Sequence, residues 1–118
     1  MEYKKIAVNP LGATLQLIGA KWRIQIIQEL LKKDCRFLEL KKKLGCTSKV
    51  LISCLKDMEE DGLVIKDKNN KTQKNEYALT DIGYTLRPVI ETMQKWGKEY
   101  KHLRKLMYNR EEKEKELK

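Results

Sequence analysis

Residues 37–80 read FLELKKKLGCTSKVLISCLKDMEEDGLVIKDKNNKTQKNEYALT. Phe37, Leu40 and Leu44 recur at helical spacing, and Gly45 follows them, a residue that accepts the left-handed conformation in which helices end. Thr47 then offers a hydroxyl to an orphan N–H of a new first turn, so a second helix is expected from Ser48 to about Glu60. Leu51, Leu55 and Met58 fall on its inner side, with Cys54 beside them. The outer side near its start carries Ser48, Lys49, Ile52, Ser53 and Lys56, short or basic side chains able to reach base edges and phosphates in a major groove. After Asp61-Gly62, Leu63-Val64-Ile65 has the character of a strand, and Glu76-Tyr77-Ala78-Leu79 that of its returning partner. A short helix, a tight turn, a capped helix and a basic two-stranded loop make the order of a winged helix-turn-helix. That order points to double-stranded DNA.

The loop from Lys66 to Asn75 contains no apolar residue. Asn69 and Asn70 suit a hairpin tip because Asn tolerates positive φ. Lys66, Lys68, Lys71 and Lys74 make the loop cationic, and alone it would be read as a solvated surface loop. Directly after a recognition helix it becomes a wing that holds phosphates and adds affinity with little sequence choice. Arg36 and Thr47, at the starts of the two helices, complete the candidate DNA-binding set. Ser48 and Ser53 are the expected base readers and Lys49 a mixed contact. Ile52 suits a thymine methyl group, although a surface aliphatic is nearly as good a reading.

Working outward, residues from about Leu11 to Ile18 form a short helix broken at Gly19, and Lys21 to Lys32 form a longer one. Trp22, Ile26, Ile27, Leu30 and Leu31 lie on one stripe of the longer helix, and core packing is the reading for all five. Cys35-Arg36-Phe37 adds a short strand in this reading. Thr80 caps a last helix that begins near Asp81 and reaches the region of Tyr108. Its residues Ile82, Leu86, Val89, Met93, Trp96, Tyr100, Leu103 and Met107 step by four and three, a heptad-like repeat. One small domain is too short to cover that stripe, which implies a partner helix. Pro88 removes a backbone donor and is expected to bend or divide the helix. From Arg110 the chain is charged with almost nothing to bury, so its end is expected to fray.

The whole reads as one mainly α domain with a small β-hairpin wing, dimerising through its N- and C-terminal helices. Its parts are N-terminal helices over 9–35, the helix-turn-helix and wing over 36–80, a dimerisation helix over 81–108 and a charged tail over 109–118. At 118 residues there is room for one modest core. Lys and Arg number 26 against 17 Asp and Glu, a net charge of +9. That balance favours a polyanionic partner. An anionic membrane is the weaker choice, because the basic residues are spread over several elements and no apolar run nears the roughly 20 residues of a span. The N-terminus leads into no long apolar segment of a secretion signal, so a cytoplasmic location is expected.

Cys35, Cys46 and Cys54 match neither a zinc site nor a Cys-x-x-Cys pair, and His102 is the single histidine. No metal or cofactor is expected. Cys46, just before a helix N-terminus and near Lys49, is the one redox candidate. An inert turn cysteine is the plainer reading. An enzyme is the least supported class, since there is no Gly-rich phosphate loop, no metal-ligand spacing and no nucleophile with a histidine partner. Glu59-Glu60-Asp61 and Glu39 read as surface carboxylates. The competing non-enzymatic reading is a protein-binding adaptor that docks a different protein on the late apolar stripe. RNA is less favoured because aromatic platforms are lacking in the basic segments, apart from Tyr77.

The chain resembles the HxlR-type winged-helix transcriptional regulators of the MarR-like superfamily. The resemblance rests on Asn9-Pro10-Leu11, Leu17-Ile18-Gly19-Ala20-Lys21-Trp22, Arg36-Phe37-Leu38-Glu39-Leu40, Leu51 to Leu55, Met58 to Val64 and Glu76 to Gly83. It implies a homodimer joined by N- and C-terminal helices, with recognition helices and wings on an inverted-repeat operator, more often a repressor than an activator. Leu11, Leu15, Val89, Met93, Trp96, Tyr100 and Leu103 would then form the dimer interface. A pocket between dimer helices near Trp22, Trp96 and Tyr100 is one place for a small-molecule effector, with packing the stronger reading of those aromatics. Relatives that sense oxidants resemble one another in a cysteine just before the N-terminal proline. Here Asn9 stands there, so the resemblance does not carry that chemistry over. The wing also lacks the family's typical prolines and is expected to be floppier before DNA binds.

Overall fold

The computed structural model describes residues 5–68 and 75–117. Helix α1 spans Pro10–Ile18, α2 Lys21–Lys32, α3 Phe37–Leu44 and α4 Ser48–Glu60. Strands β1, Val64–Lys68, and β2, Asn75–Leu79, follow, then α5, Asp81–Tyr84, and α6, Arg87–Glu116. The fold is therefore mainly helical with one two-stranded antiparallel sheet.

Local chemistry explains each start. Asn9 Oδ1 accepts from the N–H groups of Leu11 at 2.9 Å and Gly12 at 3.2 Å, and Pro10 fills the first helical position, where a missing donor costs nothing. Asn9, the residue just before the N-terminal proline, is thus a helix cap. Helix α3 opens with the Glu39 carboxylate accepting from the Arg36 N–H at 3.1 Å, one half of a capping box. Its end is Gly45 at φ 70°, a conformation that costs other residues a steric penalty. Helix α4 opens as expected, with the Thr47 hydroxyl accepting from the Val50 N–H at 3.2 Å.

One compact unit runs to Leu86 and a second begins at Arg87. The first unit's core is built from Ile18, Ile26, Ile27, Leu30, Leu40, Leu51, Leu55 and Met58, closed by Leu63, Val64 and Leu79 from the hairpin. Trp22, expected in that core, is only half-buried, and Lys21 Nζ lies 4.6 Å from the centre of its ring. Arg23 takes the buried place beside it. Leu31 also stays half-buried.

The hairpin pairs Val64 with Leu79 and Lys66 with Tyr77. The short strand expected at 35–37 is a single rung. Cys35 and Tyr77 exchange both backbone hydrogen bonds, at 3.0 and 2.7 Å, and the chain turns into α3 at Phe37 because Glu39 captures the Arg36 N–H. Asn69 and Asn70, the expected tip, lie outside the described residues.

The late helix departs from expectation in three ways. Thr80 caps only the four-residue α5, accepting from the Gly83 N–H at 3.0 Å while its own hydroxyl donates to the Gly62 carbonyl at 2.6 Å. The division then falls at Thr85 and Leu86, where their N–H groups bond the carbonyls of Ile82 and Gly83, and Pro88 occupies the first turn of α6, where its lost donor is harmless. Ile82 thus lies on α5 rather than on the late helix, and it is exposed. Finally, α6 continues to Glu116, beyond the expected fraying point. Its last turns are rich in Glu and Lys, strong helix formers, and they pair along the surface, Arg110 with Glu114 at 3.7 Å and Lys115 with Glu112 at 4.0 Å. Thirty residues make a rod of about 45 Å. Among the described residues, no helix is long and apolar enough to cross a membrane.

Candidate nucleic-acid interface

Burial divides α4 cleanly. Leu51, Leu55 and Met58 are at most 1% exposed, whereas Lys49, Ile52, Ser53 and Lys56 face outward. The 3.6-residue period puts the two sets on opposite sides. Ser48 is half-buried, and Thr47 is exposed but already committed to the cap. Cys54, expected among the core residues, is half-buried, and burial pushes its thiol up. Cys46 is half-exposed in the turn before the helix, and Cys35 is fully buried, its thiol also raised by burial.

Of the wing lysines, Lys66 is exposed on β1. The backbone of Lys68 ends that strand, and Lys71 and Lys74 lie outside the described residues. Arg36 is half-buried at the α3 start. Between α3, α4 and the hairpin opens a groove of about 400 Å³, with Ile52, Leu55, Lys56 and Glu59 on the α4 side and Lys66, Asn75 and Tyr77 on the hairpin side. Burial and the nearby Glu59 charge push the Tyr77 hydroxyl up, so it stays a neutral phenol.

What fixes α4 is a contact that sequence spacing does not reveal. Arg23 Nη1 donates to Asp61 Oδ2 at 2.7 Å and to the Leu17 carbonyl at 2.9 Å, with the two charged side chains 10% and 2% exposed. Asp61 is the residue on which α4 ends. The pair therefore joins the end of α1, the first turn of α2 and the end of α4. Asp61 is not the surface carboxylate expected from its acidic neighbours; burial this deep requires a partner. The hint in the sequence is a lone arginine between the apolar residues of α2. Glu39 likewise is engaged, accepting from Lys33 Nζ at 2.9 Å as well as from Arg36, and these bonds hold its carboxyl below the usual range.

On α6, Ile90 is buried and Val89 half-buried, while Met93, Trp96, Tyr100, Leu103 and Met107 stay 44–64% exposed. Trp96 and Tyr100 stack with ring centres 5.3 Å apart. Leu11 and Leu15 of α1 are exposed as well. Among the described residues, no three His, Cys, Asp or Glu side chains are grouped to hold a metal.

Comparison with known proteins agrees with this geometry. A family model described as HxlR-like helix-turn-helix matches residues 17–105. The uncharacterized HTH-type transcriptional regulator BH0655 of Halalkalibacterium halodurans is 47% identical over 98 residues, covering 80% of this chain and 86% of that protein. YdzF of Bacillus subtilis, also an HTH-type transcriptional regulator, is 42% identical over 91 residues, covering 75% and 84%. Among solved structures, the redox regulator HypR in its reduced form superimposes with a TM-score of 0.73 at 30% identity, covering 80% of this chain and 96% of that one.

Proposed function

Since this chain belongs to the HxlR-like helix-turn-helix family of transcriptional regulators, we propose that it is a sequence-specific double-stranded DNA-binding regulator, working in the cytoplasm as a homodimeric repressor on an inverted-repeat operator. The observation that carries the reading is the outward face of α4, where Lys49, Ile52, Ser53 and Lys56 are free of the core beside an exposed wing lysine, Lys66. In the major groove Ser53, with Ser48 at the helix start, reads base edges, Lys49 makes a mixed contact and Lys56 holds phosphates. Lys66, Lys68, Lys71, Lys74 and Arg36 add backbone contacts and with them most of the affinity.

The exposed stripe of α6 and the exposed leucines of α1 supply the dimer surface in this proposal. Two-fold symmetry would set the recognition helices about 34 Å apart, one turn of duplex. Repression then needs no chemistry, only occupancy of a promoter. The test is competition between genomic fragments and random duplex at moderate salt. Preference for particular fragments is expected, and uniform affinity for all of them would contradict the proposal.

A further inference from the structure

The net charge of α6 is concentrated in one stretch. Lys95, Lys98, Lys101, Arg104 and Lys105 stand there against the single carboxylate of Glu99, whereas the residues beyond carry four basic and four acidic side chains. The ion pairs of α6 flank the stretch, Arg87 with Glu91 before it, Arg110 with Glu114 and Lys115 with Glu112 after it. Among the described residues, none of its five cations is in an ion pair, and all five are exposed. The helical period puts Lys98, Lys101 and Lys105 on the side opposite Trp96, Leu103 and Met107, so a second copy seated on the apolar stripe leaves this ridge in water. Like charges three and four residues apart weaken a helix. The repulsion is relieved only by an anionic partner from outside.

We propose that the ridge is a second, sequence-independent contact for duplex DNA, and that it engages a duplex other than the one read by α4. It extends about 15 Å along the helix axis, a length over which a duplex presents roughly nine phosphates. No apolar side chain lies among Lys98, Lys101, His102 and Lys105 to anchor a protein partner. An anionic membrane would take up the apolar stripe, the side that the proposed dimer covers. In a dimer closed on that stripe the two ridges point apart, so one straight duplex cannot lie on both. The contact itself stands on α6 alone, whereas its use for a further duplex rests on the proposed function.

The experiment titrates the isotope-labelled full chain with a short duplex of random sequence and follows amide chemical shifts. Two saturable steps are expected, the first at residues 48–56 and a weaker one at residues 95–105. K98Q/K101Q/K105Q keeps good helix formers in place. It is expected to retain the first step and to weaken the second at least roughly tenfold, with the slope of log affinity against log salt for that step lowered by about three units. Shifts confined to residues 48–56, or a second step unchanged in the variant, would overturn the ridge and leave the proposed function standing. Shifts confined to residues 95–105 would do the reverse, and no shift at either would overturn both. Equal affinity of residues 95–105 for polyglutamate, or variant-sensitive binding of phosphatidylglycerol vesicles without a second duplex step, would assign the ridge to an acidic protein or a membrane and overturn the proposal. In a parallel arm, protein held on a bead-bound duplex is offered a free fluorescent duplex. Capture that the variant loses is expected, whereas affinity that rises with the length of the bead-bound duplex without capture would overturn the engagement of a further duplex.

Discussion

At the scale of single residues, the contact between Arg23 and Asp61 matters most, because it is buried and bridges 38 residues of chain. Removing one partner strands a charge in the core. Arg23→Met is expected to cost about 3–5 kcal/mol in urea unfolding, and R23M/D61L is expected to recover most of the loss by replacing the pair with apolar contact. A single variant as stable as the wild type would contradict the role assigned to the pair. Glu39 behaves differently because it lies near the surface, bonded to Lys33 Nζ and to the Arg36 N–H. Its folded-state carboxyl is held below the ordinary value, so its contribution is fully present above about pH 4.3 and is lost as the pH falls below that. E39Q is accordingly expected to lower the urea midpoint at pH 7, and the difference from wild type is expected to shrink as the pH falls through the lowered carboxyl value. An equal loss at every pH down into the acid range would show that charge is not involved.

At the scale of elements, α4 separates a core side from a reading side, and its two kinds of outer residue predict different failures. Lys56→Ala is expected to weaken binding to all duplexes alike and to reduce the slope of log affinity against log salt by about one unit. Ser53→Ala is expected to keep that slope and relax preference at one base position. Anisotropy titrations at several salt concentrations separate the two. The bounds of α2, α3 and α4 were legible in the sequence because Gly45, Thr47 and the apolar period act within one or two turns. The outward position of Lys49, Ile52, Ser53 and Lys56 follows from the same period. The Arg23 contact was not legible, since nothing local to Glu59-Glu60-Asp61 distinguishes a buried carboxylate from a solvated one. Nor was the break before α6, which depends on the turn bonds at Thr85 and Leu86 rather than on Pro88. The helix also runs further than its apolar stripe, because Glu and Lys favour helix intrinsically even where there is little to bury.

At the scale of the whole molecule, the net charge of +9 and the exposed aromatic stripe of α6 meet in the proposed homodimer on DNA. Trp96 is 64% exposed in the single chain and stacked on Tyr100, the kind of large anchor that dominates interfaces. Trp96→Ala is expected to weaken self-association by about 2 kcal/mol or more, roughly thirtyfold, in sedimentation velocity, with helix content unchanged. Self-association as strong as the wild type's would place the dimer surface elsewhere. Dimerisation and base reading come together in a single property, the symmetry of the site recognised. Selection of bound duplexes from a random pool by the purified protein tests it directly. A two-fold symmetric motif with half-sites about one helical turn apart is the predicted result, and an enriched pool with no shared motif would contradict sequence-specific regulation by this chain.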